Sequence, residues 1–431
     1  MSKSLDEKIK GALLPGDQTQ PDFFDKKTGP FFRRADWWAF WVTFLLSFGV
    51  YFYTNAPTVT LEDSGELAVA SDYLGVPHPP GYPIWTLVTW FFQWIFHWVR
   101  YYGQPDGNLT LVLRSLKDVM DGGGFQGHPN PAWSVGLCSG FFSALSAAFL
   151  AQLVSRSGAD ILRGLGKTTE LIGIQKESLI CWVAGVTGGL LFAFSPVLWS
   201  QATIVEVYGM NAFFMALTML LMYRWMCRPH EDKTLYVTGF VFGLGLTNHQ
   251  ALLFMAPALL TAIALRDVRL FRDAIAGAFW LMAAVLFALA YKMGAVTAAE
   301  NIQAKQGLIV VGLIFLASPI GVFLIERKLM TEWKRVLILV AAAGLGLSFY
   351  AYLPFASEQN PPMNWGYPRT QEGFIHAVSR GQYEKIDPAA NFRDAIARAG
   401  NFGKMLEDVI VDPVGYVSVV AQFTWAISLF A

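Results

Sequence analysis

Apolar runs of roughly spanning length recur along this chain, at Trp37–Tyr53, Trp133–Val154, Leu179–Leu198, Gly209–Met226, Leu235–Thr247, Gln250–Leu265, Ala274–Tyr291, Leu308–Ile325 and Val336–Leu353. A hydrocarbon layer about 30 Å thick takes roughly 20 helical residues. Inside it every backbone N–H and C=O must be paired within the segment, so such runs become helices. With 54% hydrophobic and only 15% charged residues, the chain is too apolar for a soluble globule. The fold class that follows is an all-α polytopic membrane protein. The net charge is zero and the basic residues are spread through short loops, which excludes a nucleic-acid partner. Cys138, Cys181 and Cys227 have no paired spacing and fall in or at the edges of apolar runs, as small core residues do.

The Lys and Arg positions orient the runs. Arg33 and Arg34 precede the first one, and a late, long apolar run after a polar start is an uncleaved span. By the positive-inside rule the N-terminus is cytoplasmic. Arg156, Arg163, Lys167 and Lys176 follow the run at Trp133–Val154, so it returns inward; Arg224 and Arg228, Arg266 to Arg272, and Arg327 to Arg335 then alternate correctly. The run Ile84–Val99 carries four Trp, and Thr86, Thr89, Gln93, His97 and Arg100 make one polar stripe. By itself it reads equally as an interfacial helix or a second span. Since the flanking spans already go out and come back, it cannot cross.

The expected organisation is a cytoplasmic tail over 1–36 and a transmembrane domain over 37–353 that includes an outer loop over 54–132. An extracytoplasmic segment covers 354–413, and 414–431 begins a further span of a longer chain. The protein is expected in a bacterial inner membrane, or the endoplasmic reticulum of a eukaryote.

On the outer side lies LEDSGELAVASDYLGVPHPPGYP, residues 61 to 83, with Glu62, Asp63, Glu66 and Asp72, no Lys or Arg, a lone His78 and four prolines. Packing gives no reason for that in so apolar a chain. The prolines restrict the backbone and pin the loop against the helix that follows. Glu206, Asn248, His249, Arg369, Arg380 and Tyr383 are expected at the same face. Plain roles also exist: Glu206 as a helix cap, His249 as a partner for turn backbone, Arg380 snorkelling to lipid phosphate.

DSGEL followed by LGVPHPPGYPIWTL resembles the first outer loop of glycosyltransferase family 117, whose animal member is a protein O-mannosyltransferase. EVYGMN around Glu206, the TNHQ turn, and YLPFASEQNPPMNWGYPRTQEGFIHAVSRGQY are similar to family blocks. Relatives often carry an acid after Trp-Gly where this chain has Tyr367. The resemblance implies a GT-C-like bundle of about 9–10 transmembrane helices, interfacial helices and a catalytic acid in the first outer loop, and a sugar donor carried on a polyprenyl phosphate. Such a transfer needs a base for the acceptor hydroxyl and groups that stabilise the departing phosphate. Asp63 suits the base. Glu66, three residues on, shares its helical face and would tune Asp63 or orient the acceptor. Arg380 suits the phosphate, since a guanidinium grips it bidentately. The expected substrate-binding set is His78, Tyr82, Glu206, His249, Trp365, Arg369, Arg380 and Tyr383. One base and a single displacement imply inversion. No cluster has metal-ligand spacing, so neither cofactor nor protein-held metal is expected, though the outer carboxylates could hold a divalent ion weakly. The expected partners are membrane lipid, the lipid-linked donor, and a protein Ser/Thr hydroxyl or a lipid or glycan acceptor. A secondary transporter is a distant alternative, because transporters place charges near the midplane of paired halves.

Overall fold

The computed structural model describes residues 29–102, 131–164, 174–292, 299–326, 328 and 330–383. The expected tail over 1–28, the outer-loop residues 103–130, the outer segment beyond residue 383 and the further span over 414–431 lie outside the described residues. Within them the protein is helical, with one isolated β-bridge, Val76 to Asn364.

The helices run α1 (Arg34–Thr54), α2 (Ser64–Asp72), α3 (Pro83–Tyr102), α4 (Pro131–Gly164), α5 (Ile174–Ala193), α6 (Pro196–Ala202), α7 (Tyr208–Cys227) and α8 (Asp232–Leu246). They continue through α9 (Ala256–Arg266), α10 (Val268–Lys292), α11 (Ala299–Glu326), α12 (Trp333–Leu347), α13 (Tyr352–Glu358) and α14 (Gln371–Val378). Among the described residues, five segments are long and apolar enough to cross a membrane: α4, most of α5, α7, α10, and α12 through α13. The polytopic class stands on these. The expected 9–10 also include α1, α8, the run over Gln250–Leu265, α11 and the span over 414–431, the last of which lies outside the described residues. At 1.5 Å per residue α8, with 15 residues, reaches only about 22 Å. The run expected over Gln250–Leu265 divides into a 3₁₀ turn, Gln250–Met255, and the 11-residue α9, which starts with Pro257 in its first turn, where proline's missing N–H costs nothing.

Small residues let α1, α4 and α5 approach closely. Gly185 and Gly189, spaced as in GxxxG, leave no room for a Cβ against Ala151, Ala147, Ser155, Thr43 and Ala39. Gly239, Gly243 and Gly346 do the same between α8 and α12. Antiparallel packing then sorts polar groups to the two ends of the bundle. At one end, buried Asp36 accepts from Arg33 and from Ser155 Oγ at 2.7 Å, Arg156 pairs with Asp160, and Arg335 bridges Asp232 and Asp267 at 2.7 and 2.6 Å. Phe31 lies under the guanidinium groups of Arg156, Arg224 and Arg228, 4.7 to 5.8 Å from its ring centre. The end of α1, the start of α4 and the end of α6 meet at the other end, where Asn55 donates to the Trp133 carbonyl at 2.9 Å and Ala56 N–H to the Thr203 carbonyl at 2.8 Å.

The polar stripe of α3 does not face water in its first half. Thr86 and Thr89 are fully buried and Thr89 accepts from Ser71 of α2 at 2.8 Å, while Trp90, Phe91 and Trp94 are exposed. The amphipathic pattern reflects a polar seam between two protein helices and an outward aromatic face.

Candidate active site

The acidic loop is held from three sides. Asp63 is the N-cap residue of α2 and leaves its side chain exposed. Ser64 anchors the turn, bonding Thr60 Oγ1 at 2.7 Å and donating to the Leu61 carbonyl at 2.9 Å. Beyond α2, Val76 N–H donates to Met363 and Trp365 N–H donates back to Val76, at 2.8 and 2.9 Å. Gly75 lies so tightly against the Met363 carbonyl that no side chain fits. The proline run turns through a cis Pro79–Pro80 bond and Gly81, whose φ of +85° suits glycine.

This path brings His78 into a pocket of its own. Its backbone N–H and its Nδ1 reach Glu66 Oε1 at 2.5 and 3.0 Å, its Nε2 bonds Tyr82 Oη at 2.7 Å, and Asp63 Oδ2 lies 3.9 Å from Nε2. Burial opposes charge on this ring, yet the hydrogen bond and charge of Glu66, with Asp63 and Glu206, raise its pKa. The sequence placed both carboxylates on one helical turn; what they converge on is His78, and Glu66 is the residue that orients it. Asp63, Glu66 and His78 each offer an atom within 4.8 Å of the others, a set of a type that could hold a metal ion.

Glu206 enters from the α6–α7 connection. Its backbone is clamped by Ser139 of α4 and by Trp85 Nε1 of α3, which donates to its carbonyl at 3.2 Å, and Asn248 Nδ2 donates to the Val207 carbonyl at 3.3 Å. The apolar cluster beneath, with Leu67, Trp85, Val135, Val205, Met210 and Leu252, draws from α2, α3, α4, α7 and the 3₁₀ turn. Burial pushes the Glu206 carboxyl up to about 7; the Val207 N–H, donating to Oε2 at 3.0 Å, opposes this, and Glu62 and Asp63 add to it.

His249 Nδ1 accepts from Ala251 N–H at 3.1 Å, so the turn role expected of it is real. The ring also stacks on Tyr82, with centroids 6.1 Å apart and 9° between planes. Burial, then the charges of Arg380 and His78, hold its pKa down at about 4. Arg380 arrives because Gln250 Nε2 donates to the Val378 carbonyl at 2.7 Å, tying the end of α14 to the turn. Its backbone is left-handed, φ +54°, its guanidinium carbon sits 4.2 Å over Tyr383, and its Nε is buried without a partner. Trp365 and Tyr383 stand edge-on to His78 at 6.4 and 6.5 Å.

Nine of the ten expected residues therefore share one neighbourhood. Arg369 is the exception. It is exposed, donates to Asn360 Oδ1 at 2.5 Å and lies over Tyr367, and among the described residues no contact links it to His78, His249 or Arg380. Sequence reading also passed over Tyr208, whose ring is 5.5 Å from that of His249. It lies inside EVYGMN, so the motif held the signal, but a helix-start Tyr carries no charge to draw attention.

In chemical terms the site joins an exposed carboxylate, a His–Glu pair behind it, a carboxyl that titrates near neutrality and a guanidinium with a free buried N–H, inside a ring of aromatic side chains. That is a set able to take a proton at one side and receive an anion at the other.

No solved structure matches the chain. It is 24% identical over 222 residues to "Protein O-mannosyl-transferase tmem260" of Dictyostelium discoideum, covering 48% of this chain and 21% of that protein. It is 27% identical over 194 residues to "Protein O-mannosyl-transferase TMEM260" of Mus musculus, covering 44% of this chain and 20% of that protein. The chain thus matches about a fifth of the length of these curated relatives. The family model described as "Protein O-mannosyl-transferase TMEM260 N-terminal domain" matches residues 63–104 and 124–271, which hold Asp63, Glu66, His78, Tyr82, Glu206 and His249. Over those residues the chain is similar to the N-terminal domain of that O-mannosyltransferase family.

Proposed function

We propose that the protein is a membrane glycosyltransferase, of the glycosyltransferase family 117 and GT-C type, that moves mannose from a polyprenyl-phosphate donor to a Ser or Thr hydroxyl of a protein acceptor. The observation that carries the proposal is the convergence of Asp63, the Glu66–His78 pair and the unpartnered Nε of Arg380 at one end of the bundle. The relatives' printed names support the reaction class.

In this reading Asp63, exposed to incoming acceptor, takes the hydroxyl proton. The oxygen attacks the anomeric carbon as its bond to phosphate oxygen breaks, inverting that carbon. The leaving phosphate gains negative charge, which Arg380 meets with its free N–H groups. His78, held by Glu66, keeps Tyr82 and the Asp63 side in place. His249, neutral at physiological pH, adds no competing charge beside Arg380. The aromatic outer face of α3 supplies an apolar surface for the polyprenyl tail, and the site end of the bundle faces the extracytoplasmic side, as the positive-inside rule places it.

Incubating the purified protein with polyprenyl-phosphate mannose and a Ser/Thr-containing peptide, followed by mass spectrometry, tests this. The wild type should consume the donor and add one hexose to the peptide, and Asp63→Asn should lower turnover at least about 100-fold, in the range for loss of a general base. Near-normal turnover by Asp63→Asn would remove Asp63 as the base.

A further inference from the structure

An open groove of about 560 Å³ runs between the end of α12, the turns that follow it and the start of α14. Leu347, Ala351, Pro354 and Phe374 give it an apolar wall, and Arg369 and Thr370, both exposed, line its polar edge. Leu347, Ala351 and Pro354 belong to Trp333–Glu358, a segment long and apolar enough to cross a membrane and mostly uncovered by protein. The groove therefore opens toward hydrocarbon on one side and carries a cation on the other.

Arg369 is held in that position by a fixed loop. Thr370 N–H donates to the Tyr367 carbonyl at 3.1 Å, and Tyr367 is left-handed, φ +46°, a conformation that bulky side chains rarely adopt. Gly373 of α14 packs so closely on the Gly366 and Tyr367 carbonyls that a Cβ there would collide with them. The guanidinium donates to Asn360 Oδ1 at 2.5 Å and sits 5.6 Å over the Tyr367 ring, and both partners are neutral. Among the described residues no carboxylate pairs with Arg369 and no Asp or Glu lines the groove; Glu372, in the first turn of α14, lies outside the lining.

This arrangement selects its ligand. A guanidinium grips phosphate oxygens, and its charge here is uncompensated. A free inorganic anion would leave the apolar wall in water, whereas a lipid covers it. The ammonium of a zwitterionic headgroup would find no carboxylate, so a net negative headgroup fits best. A phosphate on Arg369 is also set apart from the transfer chemistry, since no contact links this residue to His78, His249 or Arg380 among the described residues.

We propose that this groove binds an anionic glycerophospholipid of the bilayer, with its phosphate on Arg369 and one acyl chain along Leu347, Ala351, Pro354 and Phe374. The site does not depend on the transferase reading.

The test uses the full chain in phosphatidylcholine nanodiscs that carry a small fraction of phosphatidylglycerol with a diazirine near the top of one acyl chain. Photolysis should label peptides within residues 347–354 and 368–374. Unlabelled phosphatidylglycerol should compete and inorganic phosphate should not. Arg369→Gln should reduce the labelling about fivefold, the scale of one basic side chain at an anionic lipid surface, while Arg369→Lys keeps most of it. Ala351→Phe, which fills the groove without touching the cation, should reduce it as well. Labelling spread equally over lipid-facing helices such as α10, or unchanged in Arg369→Gln and Ala351→Phe, overturns the proposal. So does competition by inorganic phosphate, or by a polyprenyl phosphate in place of phosphatidylglycerol. Labelling here in a protein that never consumes polyprenyl-phosphate mannose supports the lipid site and removes the transferase reading; donor turnover without labelling does the reverse.

Discussion

At the scale of single residues, the site depends on how burial and charge divide the work among groups of similar type. Asp63 is exposed while Glu66 is committed to His78, so two carboxylates three residues apart have different jobs. Arg380 and His249 are neighbours, and the arginine's charge helps keep the imidazole neutral. Replacing Arg380 by Ala should weaken binding of the phosphate-bearing donor about tenfold or more while leaving acceptor KM unchanged, as measured by titration with donor and with peptide. Glu206 gives a pH signature. Burial, assisted by Glu62 and Asp63, raises its folded pKa to about 7 from the ordinary carboxyl value of 4.5. The protonated form is therefore favoured by folding: its contribution is complete below about pH 4.5 and is lost as pH rises through about 7. Wild type should lose thermal stability relative to Glu206→Gln between pH 5 and 8, and parallel melting curves across that range would show that Glu206 is not perturbed.

At the scale of elements, the bundle depends on backbone approach more than on large side chains. Gly243 of α8 meets the Ala343 carbonyl, and Gly346 of α12 meets Phe240, Gly243 and Leu244 in return. A Cβ at Gly243 would collide with backbone, which cannot rotate away as a side chain can. Gly243→Val should separate α8 from α12 and destabilise the protein by about 3 kcal/mol, at the upper end for overpacking, read as a fall in melting temperature. The turn after α8 carries His249 and Gln250, so activity should fall with it; Gly277→Val on α10, where a Cβ meets nothing within 4 Å, is the matched control. The α2–α3 seam shows the limit of periodicity: the spacing of Thr86, Thr89 and Gln93 identified a polar face correctly, but only the partner element revealed that the face is internal.

At the scale of the whole molecule, charge separates to the two ends. Arg33, Arg156, Arg224 and Arg335 all lie at one end with their acidic partners, and the Asp63 cluster lies at the other. Cys138, Cys181 and Cys227 are buried, so a single introduced cysteine reports cleanly. In sealed inverted vesicles, a cysteine at exposed Lys233 should react with an impermeant maleimide and one at exposed Leu61 should not; equal reaction of the two would break the proposed topology. Cutting the Asp36 network should also be felt globally, because Asp36 is fully buried and joins α1 to α4 through Ser155. Asp36→Ala leaves Arg33 without its main partner and should cost about 3 kcal/mol, measured by thermal or denaturant unfolding.

Apolar run length and basic-loop alternation were enough to establish a helical membrane protein whose acidic loop stands apart from its arginine-rich end, because both follow from the cost of placing backbone and charge in hydrocarbon. The motif LGVPHPPGYP likewise marked His78 and its carboxylates, since prolines restrict a loop whatever surrounds it. Span count was less legible: α8 and the divided run after it show that apolarity does not by itself tell a full crossing from a shorter buried helix. What only the tertiary structure decided is the joining of residues about 130 to 300 positions apart. Val76 pairs with the segment at Met363 and Trp365, and Gln250 holds the end of α14, so Arg380 reaches His249 and Tyr383 reaches His78, while Arg369, equally charged and nearby in sequence, is held elsewhere by Asn360. Those choices rest on hydrogen bonds between distant backbone groups, which no local pattern of residue types encodes.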